Sequence, residues 1–251
     1  MLPGFVTFRH YTAARMPTWR LPIALFALVL PLALLLTLPT PVSARATAVT
    51  TMRKCQPHKA LDFLKRPHFV RGRSLDGHRN DRAVRFRVSH YGHVDGVAFA
   101  EENAESALTY AASTRFFGLP VQVHRRIQPV LSCVETRIRY ACRKGKDHYV
   151  PHAVGGFRNI NTYRGGEVSN HLFGIAIDID PDRNPCCGCV EPWPEHPACQ
   201  AKADSVFDQS ALPRCWVEAF ERHGFYWLGR DPQLRDTMHF EYLGNPERLY
   251  R

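Results

Sequence analysis

The sequence predicts an α+β fold: a small antiparallel sheet carrying the functional residues, packed against helices, with a disulfide-rich insert. Three observations lead there. Helix-period segments come first and short alternating segments follow, mixed with loops, instead of strand and helix taking turns. Two segments, near 175–180 and 236–242, alternate apolar and polar residues with period two. Between them, 181–203 is rich in Pro and Cys. At 251 residues the chain supports one domain with a real core, or two small ones, and its 45% hydrophobic content argues against long disorder.

The N-terminus reads as an export signal over residues 1–46. Arg9, Arg15 and Arg20 precede the apolar run Leu21 to Leu38, and a Pro-containing stretch then leads to Ala44-Arg45-Ala46, an A-x-A-like cleavage site. The run is also close to the length that spans a bilayer, so an uncleaved membrane anchor stays open. Either way the rest of the chain is expected in the periplasm or cell envelope.

Residues 47–100 read as a basic arm or linker, and 101–251 as the functional domain. Within the arm, Val84, Phe86 and Val88 alternate with Arg85, Arg87 and Ser89, which predicts a half-buried strand. Glu101 to Phe117 reads as a helix stopped by Gly118, with Pro120 beyond. A second helix is predicted from Gln128 to Ala141, with Pro129 in its first turn and Leu131, Val134 and Ile138 on one face. The 181–203 stretch reads as a stapled loop without regular structure. A third helix follows Pro213, with Trp216 and Phe220 one turn apart and Gly224 as its stop.

All eight cysteines (Cys55, Cys133, Cys142, Cys186, Cys187, Cys189, Cys199, Cys215) lie after the apolar run. In an oxidising compartment they allow four disulfides of undetermined pairing; the alternative is a structural metal cluster of Cys186, Cys187, Cys189 and Cys199. The net charge is +10, of which four charges precede residue 47. The remaining excess is moderate and comes without a Lys/Arg block or interleaved aromatics, so no nucleic-acid partner is expected.

The chemistry is concentrated in two segments. In Ser169-Asn170-His171-Leu172-Phe173-Gly174-Ile175-Ala176-Ile177-Asp178, Ile175, Ile177 and Ile179 face one way, and Ala176, Asp178 and Asp180 the other. Gly174 can bend the chain so that His171 folds back over the strand. In Asp236-Thr237-Met238-His239-Phe240-Glu241-Tyr242, His239 and Glu241 share a face opposite Met238, Phe240 and Tyr242. If the two strands are neighbours, His239 faces Asp178 across the sheet. Two His and one Asp then make the three-ligand set of a catalytic zinc site, with Asp236 near enough to sit beside a water in the fourth position. No H-E-x-x-H and no G-x-S-x-G is present.

Both segments resemble the signature of the bacterial D-alanyl-D-alanine carboxypeptidase and L-alanyl-D-glutamate endopeptidase family of zinc peptidases, which includes vancomycin-resistance dipeptidases and phage endolysins. The first motif, S-x-H-x-x-G-x-A-x-D, is met by Ser169, His171, Gly174, Ala176 and Asp178; the second, a carboxylate three residues before a His, by Asp236 and His239. His223-Gly224-Phe225-Tyr226-Trp227 is also typical of it, and the likeness spans roughly 105–243. The resemblance implies one zinc ion per chain on His171, Asp178 and His239. It further implies Asp236 as general base, Ser169 as a substrate-binding residue, and an upstream Arg stabilising the oxyanion, for which Arg158 and Arg164 both qualify and Arg158 is favoured. The implied substrate is the peptidoglycan stem peptide, with membrane contact only through an uncleaved N-terminal segment.

One departure stands out. The carboxypeptidase and dipeptidase branches have Glu where this chain has Asp236, which is closer to the endopeptidase branch cutting between L-Ala and D-Glu. A D,D-carboxypeptidase, a non-catalytic zinc-containing wall-binding module and an exported disulfide-rich interaction protein without metal are the competing expectations.

Overall fold

In the computed structural model, residues 55–65, 77–160, 168–190 and 192–248 are described, and all of them fall within one compact unit, Pro41–Arg251. The predicted export signal and Arg164 lie outside the described residues. Among the described residues no helix is long and apolar enough to cross a membrane.

The α+β expectation is met. A hairpin of β1 (Ala111–Phe116) and β2 (Leu119–His124) is followed by helix α2 (Gln128–Ala141); α1 (Gly77–Tyr91) precedes the hairpin. The central sheet is antiparallel throughout, in the order β3 (Val154–Gly155), β4 (Ala176–Ile179), β6 (His239–Tyr242), β5 (Phe225–Trp227). A single turn of helix, α3 (Pro197–Gln200), lies in the cysteine-rich insert, and α4 (Arg214–Arg222) leads into β5.

One face of the sheet is core. Ile175, Ile177, Ile179, Phe240 and Tyr242 pack with Val130, Leu131, Val134 and Ile138 of α2 and with Trp216, Val217 and Phe220 of α4. Phe220 stacks on Phe240 with ring centroids 4.1 Å apart, the offset aromatic contact that adds to simple area burial. The helices 128–141 and 214–222 therefore form where the 3.6-residue pattern placed them, with Pro129 in the first turn and Gly224 (φ 82°) just past the second.

Two expected elements are corrected. Residues 84–89 belong to helix α1, not to a strand. Their burial follows a helical repeat, Ala83, Arg87, Val88 and Tyr91, and six residues of alternation were too short to separate the two periods. The predicted helix 101–117 is instead two 3-10 turns, Ala100–Glu102 and Ala107–Tyr110, followed by strand β1. Gly118 (φ 84°) turns a hairpin with Phe117 (φ 50°) instead of ending a helix. Pairing with Val121 and Val123 on β2 overrides the helical preference of the alanines.

Part of the span read as an arm is built into this core. Val88 and Tyr91 belong to the main apolar cluster, and Leu64 packs with Ala83 and Leu243. All eight cysteines are paired: Cys55–Cys133, Cys142–Cys215, Cys186–Cys189 and Cys187–Cys199. The alternative of a cysteine metal cluster is thereby excluded. Cys55–Cys133 pins the N-terminal segment to α2, and Cys142–Cys215 joins the end of α2 to the start of α4. The other two pairs staple the insert, which is not wholly irregular, since it holds α3 and the 3-10 turn Trp193–Glu195.

Candidate metal centre

The register of the sheet sets the centre. Asp178 on β4 is the direct cross-strand partner of His239 on β6, which is the juxtaposition the two alternating segments predict. His171 arrives from the turn before β4. Gly174 (φ 65°) closes that turn, its N–H donating to His171 O at 3.0 Å while Ile175 N–H donates to Asn170 O at 3.1 Å. A Cβ on Gly174 would lie 2.5 Å from the Phe157 ring and 2.7 Å from His124 N, so the position needs glycine for both conformation and space.

Three atoms able to bind a metal converge. His171 Nε2 and Asp178 Oδ1 are 3.2 Å apart, His239 Nδ1 and Asp178 Oδ1 2.8 Å, and the two imidazole nitrogens 3.1 Å. The far side of each ring is tied down. His171 Nδ1 donates to Gly156 O at 2.6 Å, and a carbonyl can only accept, so Nε2 presents its lone pair to the centre. His239 Nε2 donates to Glu241 Oε1 at 3.2 Å, leaving Nδ1 facing inward. Both second bonds are of the kind that fix tautomer and ring plane in metal-binding histidines. Gly156 approaches so closely that a Cβ there would meet Gln122 O at 2.1 Å.

The electrostatics fit a cation. Burial alone would raise Asp178, but His171 and His239 hold it well below the usual carboxylate range. Burial lowers His171. For His239 burial also pulls downward, yet its bonds to Asp178 and Glu241 push it up to about 10. Two lone pairs and a carboxylate oxygen within 3.2 Å repel one another unless positive charge lies among them. A proton on His239 can supply it, and so can a divalent metal. The donor set of two imidazoles and one carboxylate suits zinc.

Asp236 sits beside the centre, buried, with Oδ1 lacking a hydrogen-bond partner. Burial pushes it up to about 7, with His239 opposing and Asp178 and Glu241 adding to the rise. A buried carboxylate with a bare oxygen and a pKa near neutrality is equipped to take and return a proton. The insert holds it there. Gly188 N–H donates to Leu234 O at 2.6 Å, Cys187 N–H to Arg235 O at 3.3 Å, and Thr237 N–H to Pro185 O at 3.1 Å. Cys186 pairs with Asp236 in an isolated antiparallel bridge and packs with Leu228, Leu234 and Met238.

The other expected residues are placed as follows. Arg158 reaches the centre as an ion pair with Asp178 Oδ2, and its N–H donates to His171 O at 3.1 Å. Beside it opens a cleft of about 160 Å³ lined by His93, Ser106, Leu108, Phe157, Arg158 and Leu172 among others. Ser169 is buried beneath the turn, where its Oγ accepts from His171 N–H at 3.3 Å. Asp180, expected on the face of Asp178, has φ 42° and leaves the strand, accepting from His152 N–H at 2.7 Å and Ala153 N–H at 2.5 Å.

Two residues beside the centre carry no assigned role in the sequence reading: Glu241, and Asn170, whose side chain accepts from Arg87 and helps keep the Glu241 carboxyl low. Glu241, which shares a strand face with His239 at i, i+2 spacing, accepts from His239 Nε2, and that spacing is the signal for it in the sequence. Asn170 lies inside the first motif at one of its variable positions, where nothing in the sequence singles it out.

Residues 163–242 match the family model described as D-alanyl-D-alanine carboxypeptidase. That is about a third of the chain; it takes in Ser169, His171, Asp178, Asp236, His239 and Glu241 and leaves out Arg158. No curated protein and no solved structure matches the chain significantly.

Proposed function

From the match of residues 163–242 to the family model described as D-alanyl-D-alanine carboxypeptidase, we propose that this protein is a zinc metallopeptidase cutting the peptidoglycan stem peptide in the cell envelope. The observation that carries the reading is the convergence of His171 Nε2, Asp178 Oδ1 and His239 Nδ1 within 3.2 Å beside a buried carboxylate, Asp236, with an unpartnered oxygen. Export is supported by the pairing of all eight cysteines, which belongs to an oxidising compartment.

When bound, zinc supplies Lewis acidity that polarises a peptide carbonyl and lowers the pKa of water towards ~7. The chain's own residues do the rest. Asp236 takes the proton of the attacking water and returns it to the departing amine, a role its raised pKa suits. Arg158, whose side chain is 38% exposed and lines the cleft, turns its guanidinium to the oxyanion as charge develops. Asp178 holds Arg158 in reach until substrate arrives. The cleft beside Arg158 seats the stem peptide.

The bond we favour is L-Ala–D-Glu, because Asp236 stands where the carboxypeptidase branches resembled have Glu. The description of the matched family favours a second reading, removal of terminal D-Ala. One experiment separates them: full-length protein made in an oxidising compartment, with Asp236→Asn as control, is assayed for bound zinc and incubated with purified peptidoglycan. Stoichiometric zinc in both proteins, with new D-Glu amino termini from the wild type alone, supports the endopeptidase. Free D-Ala instead supports the carboxypeptidase. Zinc without cleavage leaves a wall-binding module, and a folded protein without zinc ends the metallopeptidase reading.

A further inference from the structure

The face of α1 towards the sheet carries a charge where packing alone calls for an apolar residue. Arg87 is 5% exposed, between the buried Ala83, Val88 and Tyr91. Burial lowers its pKa only to about 10, so it stays a cation at neutral pH. Removing a guanidinium from water is costly unless its donors are satisfied and its charge is answered. The donors are satisfied in an ordered way. Nη1 donates to Ala83 O at 3.1 Å, Nη2 to Leu64 O at 3.0 Å, and Nε to Asn170 Oδ1 at 2.6 Å.

That last bond has a direction. Because Asn170 Oδ1 accepts from Arg87, its amide NH₂ is left for the other side, where burial would raise the Glu241 carboxyl but Asn170 joins His239 and Arg87 in holding it below its ordinary range. Glu241 in turn accepts from His239 Nε2, and His239 Nδ1 faces Asp178 and His171. Arg87, Asn170, Glu241 and His239 are each 5% exposed or less, so the path is shielded from water along its length. The charges alternate with it: a cation at one end, the Glu241 carboxylate beside the ligand at the other.

We propose that Arg87 is a positioning residue of the metal centre, holding His239 in its metal-binding tautomer and ring plane through Asn170 and Glu241. The proposal rests on the reading of His171, Asp178 and His239 as zinc ligands, and it extends the centre to a helix outside the matched segment. Arg87 orients the Asn170 amide, the amide fixes one oxygen lobe of Glu241, and Glu241 keeps the proton on Nε2 so that Nδ1 remains a donor to metal. Outer partners of this kind change metal affinity by about 10- to 100-fold when removed.

The test is zinc affinity, measured on the full chain by competition with a chromophoric chelator, with thermal melting of the metal-free protein in parallel. Arg87→Met, which keeps the volume of the stem, and Glu241→Gln are each expected to weaken zinc binding by about 10- to 100-fold. The double variant is expected to be no weaker than the worse single one, since both changes break one path. Arg87→Met with wild-type zinc affinity and a lowered melting temperature would show a purely structural arginine and overturn the proposal. So would additive losses in the double variant. Should Arg87→Met fail to fold, Asn170→Leu breaks the same path, and unchanged zinc affinity there overturns the proposal equally. The outcome is separable from the function. A wild type that binds zinc but cleaves nothing refutes the peptidase and leaves the relay testable; one that binds no zinc refutes the centre itself.

Discussion

The two halves of the centre are built by different means. On the ligand side, Asp178 and His239 are cross-strand partners in a regular antiparallel ladder, and His171 is one glycine turn away. On the base side, Asp236 sits in a loop without a ladder of its own, held by hydrogen bonds from Gly188, Cys187 and Thr237 to and from the insert and by the small apolar cluster around Cys186. Sheet register places the three proposed metal ligands, and a disulfide-stapled loop places the proposed base. The contrast suits the tasks proposed for them, since ligands must not move while a base must tolerate a change of charge. It also means that the halves fail separately.

Substituting the residues themselves gives the largest expected effect. His239→Ala removes a ligand and leaves Asp178 and Glu241 without their shared partner, so bound zinc and cleavage are both expected to disappear. Asp236→Asn touches no ligand. It should keep stoichiometric zinc while kcat falls by about 10²- to 10⁴-fold, the usual share of general base catalysis. Zinc content by atomic emission and turnover on the same preparations check both. Loss of zinc in Asp236→Asn would join the two halves into one and refute the separation.

A pair of glycines sharpens the comparison at a smaller scale. A Cβ on Gly174 would strike Phe157 and His124 N in a left-handed turn, so Gly174→Ala is expected to weaken zinc binding with the position of Asp236 untouched. A Cβ on Gly188 would lie 1.7 Å from Gln233 O, which forces the insert off the loop that carries Asp236. Gly188→Ala should keep zinc affinity while kcat drops by about 10- to 100-fold, the scale of a misplacement of about 1 Å. Chelator competition and turnover on both variants would show the crossed pattern. If Gly188→Ala also lost zinc, the insert would be supporting the ligands as well as the base.

The same contrast governs how much of the molecule the sequence reveals. Ligand positions were legible because a strand has one period and two faces: Ile175, Ile177 and Ile179 name the core, so Asp178 must face the other way, and His239 is found by the same reasoning. The helices 128–141 and 214–222 were legible for the analogous reason at 3.6 residues. The cysteine pairing was not, because connectivity depends on which loops meet in space. Helix α1 is not legible as a helix because Val84, Phe86 and Val88 fit two periods at once, and the strand alternation groups Arg87 with Arg85 and Ser89 opposite them. Hairpin β1–β2 was misread because its stability comes from a partner strand and not from the alanines of β1. Local pattern reports what a residue does within its own element, and the contribution of Arg87 lies across elements.

The smallest predicted effect lies outside both halves and calibrates them. His124 and His223 are buried, and burial, helped by Arg126 and Arg125 near the first and His58 and Arg222 near the second, lowers each to about 4. In the unfolded chain both return to about 6.5. Between those values the unfolded state binds more protons, so each group's contribution is fully present above about pH 6.5 and is lost as pH falls through about 4. After solvent screening this amounts to about 1–2 kcal/mol per group. Asp236, raised to about 7, has the opposite slope in the metal-free protein, so the sign must be read by difference. Denaturant midpoints of metal-free wild type and His223→Gln, compared at pH 7 and pH 4.5, should converge at the lower pH because the variant has no histidine there to protonate. A constant gap would mean that His223 is protonated in the folded protein, and that the packing around it is looser than its burial indicates.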